Sequence, residues 1–277
     1  MNTAGFVKSP DAALRFSPRR CSVRKSTPHS SCFACLACGL FFEAGPFVDT
    51  SPALCWNVAL RLLMLFLVAV LALGGCASLP PLKPLHPAMK STVLEECRSP
   101  FLPVKYRLVH SLEALLPGGG TTTGIGVLVA DPRSGSFRSV LMTIEGWVLF
   151  DIEGGATPIV HRAVPPFDPP AFARRMAEDI GLAFFAPGGE PALWGEEEKG
   201  FRGCRYARPG GGFVDVLKSE AGAREIRLYG TGQELLKRVK IPILEKPGLA
   251  EELEIRGESW PCYGLRLRLI DAEAVED

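Results

Sequence analysis

Near the end of the chain, Cys262–Ala272 reads CYGLRLRLIDA, and within it Leu265, Leu267 and Leu269 alternate with Arg266, Arg268 and Ile270. Side chains that alternate with period two point to opposite faces of a strand. One face here is apolar and the other is largely solvated, which is how a strand of an antiparallel sheet covers a core on one side. The same period recurs upstream in Phe201–Ala207, Gly212–Ser219, Arg224–Gly230, Glu234–Ile243 and Glu251–Gly257. Further back it recurs in Val104–Leu115, Thr123–Asp131, Ser136–Thr143, Trp147–Glu153 and Thr157–Val164. Breaks rich in Gly and Pro separate these runs, among them Pro117-Gly118-Gly119-Gly120, Pro132-Arg133-Ser134-Gly135, Gly154-Gly155 and the tight turn Ile144-Glu145-Gly146. The expectation is about eleven strands.

The period changes once. After Pro165-Pro166-Phe167-Asp168-Pro169-Pro170, the run Ala171–Phe185 places Phe172, Met176, Ile180 and Phe184 four apart. That spacing puts them on one face of a helix, with Arg174, Arg175, Glu178 and Asp179 on the other. Asp168 is the expected N-cap, with Pro169 in the first turn. Strands do not alternate with helices, which argues against a parallel sheet or a nucleotide-binding fold. The expected fold class is therefore mainly β: an unclosed antiparallel barrel of about eleven strands with one plugging helix.

Of the 277 residues, 47% are hydrophobic and 22% are charged, which is too apolar for a disordered chain. The formal charge of +1 gives no basic field for nucleic acid. Inside Trp56–Cys76, an apolar run of 12 residues, Leu62–Leu73, follows Arg61. It suits the core of a signal peptide and is short for a membrane span, which needs about 20 residues. The run ends in Leu73-Gly74-Gly75-Cys76, which resembles the lipobox of bacterial lipoproteins. The resemblance implies cleavage before Cys76, acylation of its thiol and anchoring in a membrane. The other reading is an uncleaved anchor over Ala53–Leu73.

The expected domains are an extension (1–55), a signal peptide (56–75), a Pro-rich tether (76–90) and a barrel domain (91–277). Residues 1–55 crowd Arg, Ser, Pro and Cys without helical or strand period, as expected if the true start lies downstream, near Trp56 or at Met64. Cys32, Cys35 and Cys38 in that extension form CxxCxxC, but a metal site would need Cys21 or Cys55 as fourth ligand, and none is expected. From Cys76 onward the chain carries 24 basic and 27 acidic side chains, net −3. Four prolines in Ala77–Pro87 favour an extended tether, a standoff of roughly 30 Å at about 3.1 Å per residue. Ala88–Cys97 reads as a short helix. Cys97, Cys204 and Cys262 suggest one disulfide and one buried thiol, with the pairing open.

Strand order, interrupting helix and lipobox together resemble the LolA/LolB lipoprotein-localisation family, over roughly residues 91–277. The resemblance implies a half-barrel whose apolar interior holds acyl chains of lipoproteins or phospholipid, a periplasmic LolA-type carrier as partner, no cofactor and no enzymatic activity. Ala77, where Asp would retain a lipoprotein in the inner membrane, favours the outer membrane. Val140-Leu141-Met142-Thr143-Ile144-Glu145-Gly146-Trp147 is similar to the apolar strand and leucine-bearing turn by which LolB-like members deliver cargo. Here Ile144 would take the leucine's part, in a shorter turn that carries Glu145.

The residues expected to line an acyl site are Val127, Val129, Leu141, Leu149, Leu267 and Leu269 from strands, and Phe172, Met176 and Ile180 from the helix. Apolar area alone holds such a ligand, at about 25 cal/mol per Å². The alternative is a barrel filled by its own side chains, serving as an envelope scaffold. Gly118–Gly126 lacks the Gly-Lys-Ser/Thr ending of a phosphate loop and reads as a hairpin. His86, His110 and His161 lie apart, and no Gly-x-Ser-x-Gly elbow accompanies them. Glu196–Lys199 reads as a solvated loop.

Overall fold

The computed structural model describes residues 79–116, 120–155, 157–259 and 262–276. Cys76, the lipobox and the CxxCxxC run lie outside them. A 3-10 turn, Pro87–Met89, leads into α1 (Lys90–Arg98). Five strands follow: β1 (Tyr106–Leu115), β2 (Thr121–Asp131), β3 (Ser136–Met142), β4 (Val148–Gly154) and β5 (Ile159–Ala163). After α2 (Pro170–Phe184) come β6 (Leu193–Glu196), β7 (Arg202–Ala207), β8 (Phe213–Lys218), β9 (Arg224–Tyr229) and β10 (Leu235–Ile241). The chain then forms β11 (Leu244–Lys246), β12 (Leu249–Ala250), β13 (Glu252–Gly257) and β14 (Tyr263–Ala274).

Twelve strands make one antiparallel sheet in the order β5-β4-β3-β2-β1-β14-β13-β10-β9-β8-β7-β6, and β11 and β12 pair separately. The sheet is not closed: β5 and β6 are its two edges. The expected fold class is observed. The count differs because β6, β11 and β12 have only 4, 3 and 2 residues, too few for a period to show.

β1 and β14 pair along Tyr106–Leu115, which joins the two ends of the domain in the middle of the sheet. Alternation then sorts the faces. Ala114, Leu265, Ile255, Val239, Ile226, Val216, Cys204 and Trp194 stand in successive register on the inner face, an apolar row across eight strands. The outer face of the same strands carries charges in cross-strand pairs. Arg205 meets Asp215 through two bonds of 2.7 Å, and Arg227 meets Glu225 and Glu197. Glu197 is only 6% exposed, so Glu196–Lys199 is not the solvated loop expected: Glu196 ends β6 and Glu197 is taken up by Arg227.

The connection from β5 to β6 runs from one sheet edge to the other, and α2 lies on it. Its N-cap is Pro169 rather than Asp168, with no side-chain cap, so the fixed φ of proline makes the helix entry. The tether is strapped to the body instead of standing free. Lys83 exchanges backbone bonds of 2.8 and 2.9 Å with Glu196, and the Pro80 carbonyl accepts from Arg205 at 2.9 Å. Residues 79–86 therefore supply none of the expected standoff.

Cys97 of α1 and Cys204 of β7 form a disulfide whose ends are 2% and 0% exposed. Cys262 is only partly buried and is itself disulfide-bonded, so it is not the buried thiol expected. The bridge spans 107 residues of chain, so it removes much denatured-state freedom. Cys97→Ala/Cys204→Ala should lose about 2–5 kcal/mol, and thermal unfolding should fall by about 5–15 °C. An unchanged melting temperature would show that the bridge constrains nothing.

Candidate functional site: the inner face under α2

α2 packs on the inner face through aromatic contacts. Phe172 meets Phe150 of β4 edge-on at 5.1 Å and Phe167 at 5.2 Å, and Phe184 lies 5.9 Å from the His110 ring of β1. Ile180 is buried, whereas Phe172 and Met176 pack half-buried against the core. All three expected helix residues therefore face the sheet.

The strand residues divide. Leu141, Leu267 and Leu269 lie on the inner face; Leu141 is buried, and the other two are half-buried against the core. Val127 and Val129 do not join them. β2 presents Leu128 and Ala130 inward, buried, and register places Val127 between Val109 and Val140, and Val129 between Arg107 and Arg138, on the outer face. Their inward placement is corrected: in TGIGVLVAD both faces of the strand are apolar, so the hydrophobic pattern does not fix which set points in. Leu149 alternates with the buried Phe150 and touches only the margin of the core.

Charged side chains also stand on the inner face: Arg202 and Lys218 meet Glu96 of α1 at 3.6 and 2.7 Å, and Lys237 lies under α2. Lys237 of β10 extends under α2, with its Nζ 2.6 Å from Asp179, 2.9 Å from Glu178 and 3.2 Å from the Arg175 carbonyl oxygen. The Tyr263 hydroxyl donates to Asp179 at 2.7 Å, and Arg208 reaches Glu178 at 3.1 Å. A Cβ at Gly257 would collide with the Tyr263 ring, so glycine there lets the ring lie across β13 towards the helix. Burial pushes the Asp179 carboxyl up against the pull of Lys237, while Lys237 and Arg208 hold Glu178 down against its own desolvation. This polar latch ties the Glu178–Asp179 side of α2 to β10, to β14 and to Arg208 just past β7. Sequence reading placed Glu178 and Asp179 on a solvent face, and no local signal tells that Lys237 turns inward.

Among the described residues, a cleft of about 10 Å³ opens between the end of α2 and the sheet, bounded by Pro100, Leu108, His110, Phe184, Leu249 and Leu269. That is room for about one water. The inner face is covered in this conformation by α1, through Val93 and Cys97, and by α2. Leu112, Leu265 and Leu267, half-buried, mark where the cover is thinnest.

At the β3–β4 turn, Ile144 is 72% and Trp147 71% exposed. The turn is built to hold them out. The Thr143 and Trp147 backbones bond at 2.9 Å, and Gly146 takes φ +91°, a conformation that other residues rarely adopt. Ile144 stands where the sequence led; Trp147, read only as a strand start, forms the second half of the tip. Among the described residues no cluster of His, Cys, Asp or Glu has the makings of a metal site.

No family model matches the chain, and no curated protein matches it. Among solved structures it is similar to a LolA superfamily protein from Nitrosomonas europaea, with TM-score 0.39, 7% identity, and 68% of this chain and 94% of that one covered. It is similar to a domain named for outer membrane lipoprotein sorting from Vibrio parahaemolyticus, with TM-score 0.35, 11% identity, and coverage of 67% and 93%. A DUF1329 family protein from Desulfovibrio piger gives TM-score 0.31, 10% identity, and coverage of 68% and 92%. At these values nothing about function passes from those proteins to this one.

Burial holds the His110 imidazole neutral by lowering its pKa from 6.5 to about 4. The unfolded chain therefore binds a proton that the folded one refuses between those values. Stability from this site is complete above pH 6.5 and is lost as pH falls towards 4, by about 3 kcal/mol. Urea unfolding should show that loss in the wild type and a flatter profile in His110→Leu. Equal slopes would place the imidazole in water.

Proposed function

We propose that this protein is an envelope lipoprotein, anchored in the outer membrane through Cys76 and facing the periplasm, that receives the acyl chains of lipoproteins or phospholipid on the inner face of its open sheet. The observation that carries this reading is the apolar inner face. It runs unbroken across eight strands; α1, tied to Cys204 by the disulfide, covers it over β6–β8, and the rest is covered by α2, on the connection between the two sheet edges. For a chain to enter, α2 swings aside and gives up Phe172, Met176 and Ile180. Acyl methylenes then take over the apolar area these side chains covered, at about 0.8 kcal/mol each. Transfer is passive and needs no catalytic group: cargo moves from a periplasmic LolA-type carrier to the site that covers more of it.

Two further features fit. A buried disulfide belongs to an oxidising compartment, as the periplasm is. The Ile144–Trp147 tip pairs an aliphatic and an indole side chain, the combination that settles at a membrane–water interface. The tip would contact lipid while the inner face hands on its cargo. The closed interior favours a second reading, an envelope scaffold with a filled core.

Binding separates the two. The full chain, kept soluble in a fluorinated surfactant whose tails do not mix with hydrocarbon, should bind the uncharged apolar fluorophore 1-aminoanthracene saturably and lose it to a lipopeptide. Met176→Asp should weaken binding at least tenfold. Val127→Asp, on the outer face, should leave it unchanged. No saturable binding by folded protein would establish the scaffold.

A further inference from the structure

His110 is unlike the rest of the inner face. It is 4% exposed, and it lines the cleft at the end of α2. Burial among apolar side chains costs an imidazole much of its water. Around it stand Leu108, Phe184, Leu269 and Ile241, none of which can pair with it.

Two features of the backbone make room there. β14 carries a bulge opposite Val109 and His110, so that Val109 faces Asp271 and His110 faces Leu269, leaving Ile270 as the extra residue. Bulges re-aim the side chains beside them. On the other flank His110 faces Gly126 of β2, and a Cβ built at Gly126 would meet nothing within 4 Å. In the row Leu269–His110–Gly126–Leu141–Phe150, a polar ring and a position without a side chain thus sit side by side in an otherwise apolar lining.

We infer that the cleft beside His110 is the seat for the carbonyl of an acyl ester, with the imidazole N–H donating to it. The inference rests on the acyl-binding reading above and adds the ligand's polar end. The cleft suits an uncharged acceptor. A carboxylate or phosphate would bring a full charge into a site where no cation is at hand, since the latch cation Lys237 is already matched by Asp179 and Glu178. A carbonyl oxygen is about the size of the water that the cleft admits. The ligand class is therefore esterified acyl chains rather than free fatty-acid anions. Neutral imidazole is the form that fits, and burial maintains it.

The test uses the full chain in fluorinated surfactant with 1-aminoanthracene as the displaced fluorophore. Competitors are methyl decanoate, undecane, which has the chain without the carbonyl, and decanoate. His110→Leu should weaken methyl decanoate by about three- to tenfold and leave undecane within about twofold. Decanoate at pH 7.4 should compete more weakly than the ester in the wild type. His110→Gln, which keeps an N–H donor, should recover most of the ester affinity. In the wild type, the His110 ring nitrogen resonances should shift with methyl decanoate and not with undecane. Equal losses for ester and hydrocarbon in His110→Leu would make the residue a packing element and overturn the inference, as would no loss for either. If wild-type protein binds none of the three competitors, the acyl-binding reading itself falls, and this inference with it.

Discussion

The architecture depends on the pairing of β1 with β14. These strands lie at opposite ends of the domain sequence, and their ladder covers all of Tyr106–Leu115. Without it the chain would make two smaller antiparallel sheets, β1–β5 and β6–β14, each with an uncovered apolar face. With it, one sheet of twelve strands keeps a common inner face, and its edges β5 and β6 are the two ends of a single connection. The helix on that connection packs on the inner face through Phe172, Ile180 and Phe184. The cover over the sheet is thus a consequence of strand order, and the bulge that aims His110 sits in the same ladder.

The two faces of the sheet are held by different physics. The inner face is ordered by area, with aromatic contacts of Phe172 and Phe184 setting the pose of α2. The outer face of β6–β14 is ordered by charge, pair by pair, from Arg205–Asp215 to Arg266–Glu252. Lys237 breaks this division. Buried ion pairs give little net stability over apolar packing, since desolvation offsets most of their attraction. What the Lys237–Asp179–Tyr263 latch gives α2 is one defined seat and a set of partners that regain water when the helix leaves. A cover sealed only by hydrocarbon would be harder to lift.

Much of this was legible in the sequence. LRLRL in β14 shows its faces because arginine and leucine differ so strongly, and the spacing of Phe172, Met176, Ile180 and Phe184 marks the side of α2 that packs. β2 was not legible in the same way. TGIGVLVAD is apolar at both parities, so Val127 and Val129 were as good candidates for the interior as Leu128 and Ala130, and only pairing with β1 and β3 decides between them. Glu197 and Lys237 were beyond reach for another reason. Their partners Arg227 and Asp179 are 30 and 58 residues away, and a charge that will be buried by a distant partner looks like any other surface charge. His110 was visible only as a histidine in a strand; the bulge and Gly126, which make its surroundings unusual, belong to pairings with other strands.

The central claim is that α2 is a removable cover over an acyl-binding face. Hydrogen–deuterium exchange of the full chain, with and without a saturating triacylated lipopeptide, tests it most directly. Amides of residues 170–184 should exchange faster with ligand bound, while those of β1 and β14 should be as slow or slower. If lipopeptide binds and α2 stays as protected as before, the helix is a fixed part of the core and the ligand lies elsewhere.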